Sequence, residues 1–148
     1  MRLGLVGDVK VKQAEPVPAR DLFVSPLFHA RRKHVERTCD LWFILSAEHG
    51  LLHPDQVVGP YRRLLAYEGR PAKEKWAARV LWQLDHAWSD WKSTTVEIHA
   101  GADYRKFGLT EGLLDRGATY EVPAEHLPGG AQLAWYSSSA AAAADARR

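Results

Sequence analysis

Three short stretches of this 148-residue chain hold the residue types from which a reaction site is built. The first is Asp8-Val9-Lys10-Val11-Lys12. A carboxylate beside two lysines reads either as an acid or base kept ionised by neighbouring cations or as a salt-bridged loop. The second runs from Ser46 to Asp55. His49 and His53 have the spacing of paired metal ligands on a helix, with Asp55 as a third donor. Gly50 and Pro54 interrupt any helix there, so the spacing loses its geometry, and neither a metal nor a cofactor is expected. His49 reads instead as a hydrogen-bond donor to a phosphate or base, against an ordinary loop histidine. The third stretch is Arg20 to Phe28. Ser25 before Pro26 marks a helix start, where a hydroxyl and free amides either bind an anion or simply cap the helix. Arg31-Arg32-Lys33 reads as a solvated face or a polyanion contact. Gly7 lacks the flanking glycines and the Lys-Ser/Thr end of a phosphate loop.

The elements that position these residues follow from apolar runs and their punctuation. Arg2–Gly7 and Leu41–Leu45 are continuously apolar and predict buried strands, and Thr95–Ala100 predicts a third. A fourth strand is expected at Thr119–Val122. Helices are expected from Ser25 to Thr38, over Pro71–Trp91, over Tyr104–Arg116 and from Gly129 to Tyr136. Val9–Pro26, with three prolines, and Ser46–Pro60, with two glycines and two prolines, predict loops, followed by a short helical turn within Tyr61–Tyr67.

Alternation of strands and helices predicts an α/β fold, a three-layer sandwich around a central, mostly parallel sheet. Residues 1–137 form the expected single domain, and 138–148 an Ala/Ser-rich tail, either disordered or a helix extension. In such sheets ligands bind beyond the carboxyl ends of the strands, where Asp8, Ser46 and Gly101 emerge.

Composition narrows the class of function. Apolar residues make up 46% and charged residues 26%, an ordinary globular balance that argues against disorder and against a membrane partner. No leader is recognisable, and the lone cysteine, Cys39, offers no disulfide or thiolate cage, so a cytoplasmic protein is expected. The net charge of +2 does not demand a nucleic acid. Residues 1–70 nevertheless hold 11 Lys/Arg against 8 Asp/Glu, a lean toward an anionic ligand in that half.

Taken together, VGDVKVKQ, PARDLFVSPLF, WFILSAEHGLLHPDQVVGPY and IHAGADY resemble an uncharacterised bacterial and phage domain family, over nearly the whole chain to about Tyr136. More distantly that family resembles the YaaA-like peroxide-stress proteins and the domain accompanying archaeosine synthases, which implies a nucleobase or nucleic-acid theme. Lys10, Lys12, Ser25, Ser46, His49, Gly50 and Tyr61 match its pattern. Its usual start is VGCVKxK, and here Asp8 replaces the cysteine, so no thiol role carries over.

An aspartate at that position permits N-glycosidase chemistry, in which a carboxylate positions water and stabilises an oxocarbenium-like sugar. The expected function is a nucleotide- or nucleic-acid-directed enzyme acting on a base–sugar bond. Asp8 and His49 would be catalytic. Lys10 and Lys12 would neutralise phosphate, Ser25 and Ser46 would hold phosphate or base, and Phe23 and Tyr61 would stack on the base. The alternatives are a non-catalytic nucleotide or nucleic-acid binding module and a homo-oligomeric interaction protein that uses the six tryptophans.

Overall fold

The computed structural model describes residues 1–146. In chain order it runs β1 (Arg2–Gly7), β2 (Val17–Pro18), α1 (Ala19–Leu22), α2 (Pro26–Thr38), β3 (Leu41–Ser46), β4 (Gly50–Leu52) and β5 (Val57–Val58). It continues with α3 (Arg70–Ala87), β6 (Thr95–His99), α4 (Ala102–Arg105), α5 (Leu109–Asp115), β7 (Thr119–Glu121) and α6 (Gly129–Ala146). The main sheet has five strands in the order β4-β3-β1-β6-β7. All its pairings are parallel except the β3–β4 hairpin, so the fold is α/β with a mostly parallel sheet. The three expected strands Arg2–Gly7, Leu41–Leu45 and Thr95–Ala100 form its centre, with β1 in the middle.

Period-two alternation sends neighbouring residues of β1 into different apolar clusters. Leu3 and Leu5 join Trp76, Val80 and Leu84 of α3 and Leu109 and Leu113 of α5. Val6 joins Phe28 and Val35 of α2. Gly4 is required by this arrangement, because a Cβ there would stand 2.9 Å from Val35. Ser25 caps α2 by accepting the Phe28 N–H at 3.0 Å, with Pro26 in the first turn.

Four expectations change. Ser46–Pro60 is not a continuous loop: β3 folds back as β4, with Gly50 at φ 72°, a conformation that suits glycine. Val9–Pro26 contains β2 and α1, and Lys12 pairs with Phe23 in an isolated bridge. The long α3 stops at Ala87, where Trp88 turns extended and its indole donates to Thr94 Oγ1 at 2.9 Å. The expected helix over Tyr104–Arg116 is two helices, broken at Gly108 with φ 119°. The final helix continues past Tyr136 to Ala146, and the last two positions of the expected tail lie outside the described residues. Among the described residues no helix is long and apolar enough to cross a membrane.

Candidate functional site

Asp8 is the first residue beyond β1. Its N–H extends the ladder to β3 by donating to the Leu45 carbonyl at 2.9 Å. This places the side chain at the carboxyl edge of the sheet, between the ends of β3 and β6, and only 6% exposed. Carboxylate oxygen Oδ2 accepts the Ala47 N–H at 2.9 Å and the Tyr61 hydroxyl at 2.6 Å. The Tyr104 hydroxyl donates to Oδ1.

Burial pushes the Asp8 carboxyl above its ordinary value, against the pull of Tyr104, Tyr61, the Ala47 amide and the Lys12 charge. Both phenols are pushed far up, by burial first and then by the Asp8 charge, so both stay protonated and act as donors. The Lys12 ammonium lies 4.4 Å from the centre of the Tyr61 ring. Burial lowers its pKa, while Asp8 holds it up.

A second feature is directional. The His49 N–H donates to Ser46 Oγ at 3.1 Å, Ser46 O–H donates to Tyr61 Oη at 2.7 Å, and Tyr61 donates to Asp8. Each donor polarises the next, and the chain ends on the carboxylate. Trp76 of α3 holds the start of this loop, its indole N–H donating to the Ser46 carbonyl at 2.8 Å.

The structure therefore brings Asp8, Lys12, Ser46, His49 and Tyr61 together. His49 joins through its backbone, and its imidazole stands edge-on to the Tyr61 ring at 5.4 Å. Three other expected residues stand differently. Phe23 is completely buried, 5.1 Å from the ring of Phe28 and 6.3 Å from that of Tyr61, so it supports Tyr61 and offers no face to a base. Ser25 Oγ is committed to its helix cap. Lys10 is exposed, and its carbonyl accepts from Lys12 Nζ at 3.2 Å. His53 and Asp55 turn to each other and to Arg20: His53 Nδ1 accepts the Asp55 N–H at 3.1 Å, and Arg20 pairs with Asp55. Tyr104 went unrecognised in the sequence, although it follows the third strand's carboxyl end by five residues, the zone where ligand-facing residues gather.

A second polar cluster lies on the α2 side of β6. Glu97 and His99, two apart on one face of the strand, meet His34 of α2, and all three are buried. Nε2 of His34 and Nε2 of His99 both lie 2.6 Å from Glu97 Oε1, and Arg2 bonds Oε2 at 3.0 Å. The Tyr136 hydroxyl of α6 is 2.5 Å from His99 Nδ1. These are metal-ligand types with ligand atoms within 4.8 Å of one another. Arg37 decides their use. Its guanidinium lies 3.2 Å from His34 Nδ1 and only donates, so the His34 proton sits on Nε2 and points at Glu97. Metal ligation through Nε2 would turn an Nδ1 proton against that guanidinium. The cluster works as a carboxylate clamp between α2, β6 and α6. Burial pushes Glu97 up, but the bonds from His34 and His99 and the nearby charges outweigh it and hold the carboxyl well below its ordinary range. Burial lowers His99, against the pull of Glu97.

Residues 3–138 match the profile of DUF6884, a family of unknown function. A 45-residue segment is 44% identical to the uncharacterized protein YfjM of Bacillus subtilis (strain 168), and it covers 30% of each chain. No solved structure matches the chain.

Proposed function

Since the chain belongs to the DUF6884 family, which brings no assigned reaction, we propose from its own geometry that it is a nucleotide-directed enzyme that hydrolyses a base–sugar bond at Asp8. The observation that carries this reading is a buried carboxylate at the carboxyl edge of the central strand, held by two phenol hydroxyls and faced by Lys12. In the reaction the bond between the sugar C1′ and the base nitrogen breaks, its electron pair leaves with the base, and water adds to C1′. The Asp8 carboxylate stabilises the developing oxocarbenium charge and takes the proton from water. The imidazole of His49, on the loop that bonds Asp8, supplies a proton to the departing base.

Burial that raises the Asp8 carboxyl makes it a stronger base than an ordinary exposed carboxylate. The nucleobase theme draws on the resemblance to the YaaA-like and archaeosine-synthase-associated domains. Separate apolar clusters, one with α3 and α5 and one with α2, support a three-layer sandwich. The single free thiol, Cys39, suits a reducing cytoplasm.

A second reading, a binding module without turnover, is favoured by the three protein donors that already occupy the Asp8 carboxylate. Free base, measured by chromatography after incubation with nucleoside 5′-monophosphates and short oligonucleotides, separates the two. The enzyme releases base, and Asp8→Asn, with its circular dichroism unchanged, loses roughly 10²–10⁴-fold in rate. Binding with no base release from any substrate makes the chain a binding module.

A further inference from the structure

At the carboxyl end of β6, where His99, Ala100 and Gly101 lead into α4, a cavity of about 370 Å³ opens. Three cations line it: Arg31 from α2, Arg105 from α4 and Lys106 just after it. Glu125 is the one acid in its wall, and it pairs with Arg105 at 3.1 Å. That leaves Arg31 and Lys106 without a carboxylate partner in the wall. Lys106 has no ion pair among the described residues.

Arg31 likewise has no ion pair among the described residues, its polar contacts being to the neutral Gln132 and Tyr136. One guanidinium nitrogen donates to the neutral Gln132 Oε1 at 2.9 Å, and its Nε is buried with no hydrogen-bond partner among the described residues. The Arg31 guanidinium lines the cavity with no carboxylate to pair it, and an anionic acceptor there would meet an uncompensated positive charge. The backbone at Gly101 is uncovered on this side, because even a Cβ there would meet nothing within 4 Å. Burial lowers the His99 imidazole against the pull of Glu97, so the positive charge of the wall rests on its arginines and lysine.

We propose that this cavity is an anion site that takes the phosphate of a nucleoside 5′-monophosphate, with Arg31 and Lys106 as its charge partners. Its volume falls at the small end of the ~300–1,000 Å³ range of small-molecule pockets and matches a mononucleotide. Tyr104 connects it to the reaction site, since its hydroxyl bonds Asp8 and its side chain lies within range of the Arg31 charge. The identity of the sugar and base attached to that phosphate rests on the reading of Asp8 above, whereas the anion site rests on its own lining. It moves the phosphate role from Lys10, Lys12 and Ser25 to Arg31 of α2 and Lys106 just after α4.

Calorimetric titration of the full chain with AMP, dAMP, GMP, their nucleosides and inorganic phosphate tests this. Each monophosphate is expected to bind at least tenfold tighter than its nucleoside, and inorganic phosphate is expected to compete with it. Lys106→Met, at an exposed side chain, and Arg31→Met should each erase most of that difference while circular dichroism stays unchanged. Should Arg31→Met fail to fold, Lys106→Met alone decides. Equal affinity for nucleotide and nucleoside, or a preference untouched in Lys106→Met, overturns the anion site, as does the absence of monophosphate binding. Tight binding of inorganic phosphate alone retains the anion site and overturns the mononucleotide. Asp8→Asn is expected to keep the phosphate preference, so failure of the reaction at Asp8 and failure of this site give different results.

Discussion

The hydroxyl of Tyr61 donates to Asp8 Oδ2 at 2.6 Å across 53 residues of sequence, and in turn accepts from Ser46 at 2.7 Å. One phenol thus joins the end of β1 to the β3–β4 hairpin and passes the polarisation of Ser46 to the buried carboxylate.

Tyr61→Phe removes that donor while keeping the ring that supports Lys12. Loss of a buried bond to a charged group is expected to cost about 1–3 kcal/mol in urea unfolding. It also changes the pH dependence. A raised carboxyl pKa means that the native state binds the proton more tightly than the unfolded chain, so stability falls as pH rises from the ordinary carboxylate value through the raised one. Tyr61→Phe should extend that fall to higher pH, whereas Ser46→Ala, which leaves the Tyr61–Asp8 bond in place, should extend it less. Identical pH–stability curves for Tyr61→Phe and wild type would show that Tyr61 does not control Asp8.

The clamp around Glu97 predicts acid lability of opposite sign. Glu97 is depressed in the fold, so its contribution is present above the ordinary carboxylate value of 4.5 and is lost as pH falls from there toward its folded value. His99 is also depressed, so the unfolded chain takes up its proton first and stability declines as pH drops below about 6.5. Thermal melts from pH 7 to 3 should show a two-stage loss. In Glu97→Gln the stage below 4.5 should shrink, against a lower starting stability.

Truncation within α6 separates its anchored part from its exposed end. Removal of everything after Ser137 leaves Tyr136 in place and is expected to cost under about 1 kcal/mol, because the alanines beyond it are mostly exposed and bury little. Removal of everything after Leu133 takes away Tyr136 and the Trp135 ring that lies 5.5 Å from His34, and leaves His99 Nδ1 without its phenol. That truncation is expected to cost about 3 kcal/mol or more. Equal melting temperatures for the two truncations would show that α6 does not anchor the clamp.

The sequence by itself determined the frame. The apolar runs within Arg2–Gly7 and Leu41–Leu45 became central strands because both of their faces are covered, and Thr95–Ala100 became the third although Glu97 and His99 put polar groups inside it. Ser25-Pro26 marked the start of α2 through the local chemistry of a cap. The rule that ligands gather at the carboxyl edge of such strands brings Asp8 and Ser46 to one place from the sequence alone. Only the tertiary structure decided which side chains touch. Tyr104 reaches Asp8 across 96 residues, and His34 reaches Glu97 across 63, through the placement of α4 and the close approach of α2 to Gly4. Phe23 looked like a stacking residue and is core, because the Lys12–Phe23 bridge turns its ring inward toward Phe28. Periodicity records which face of an element is apolar; which polar groups meet across elements depends on crossing distances and loop paths that no local pattern encodes.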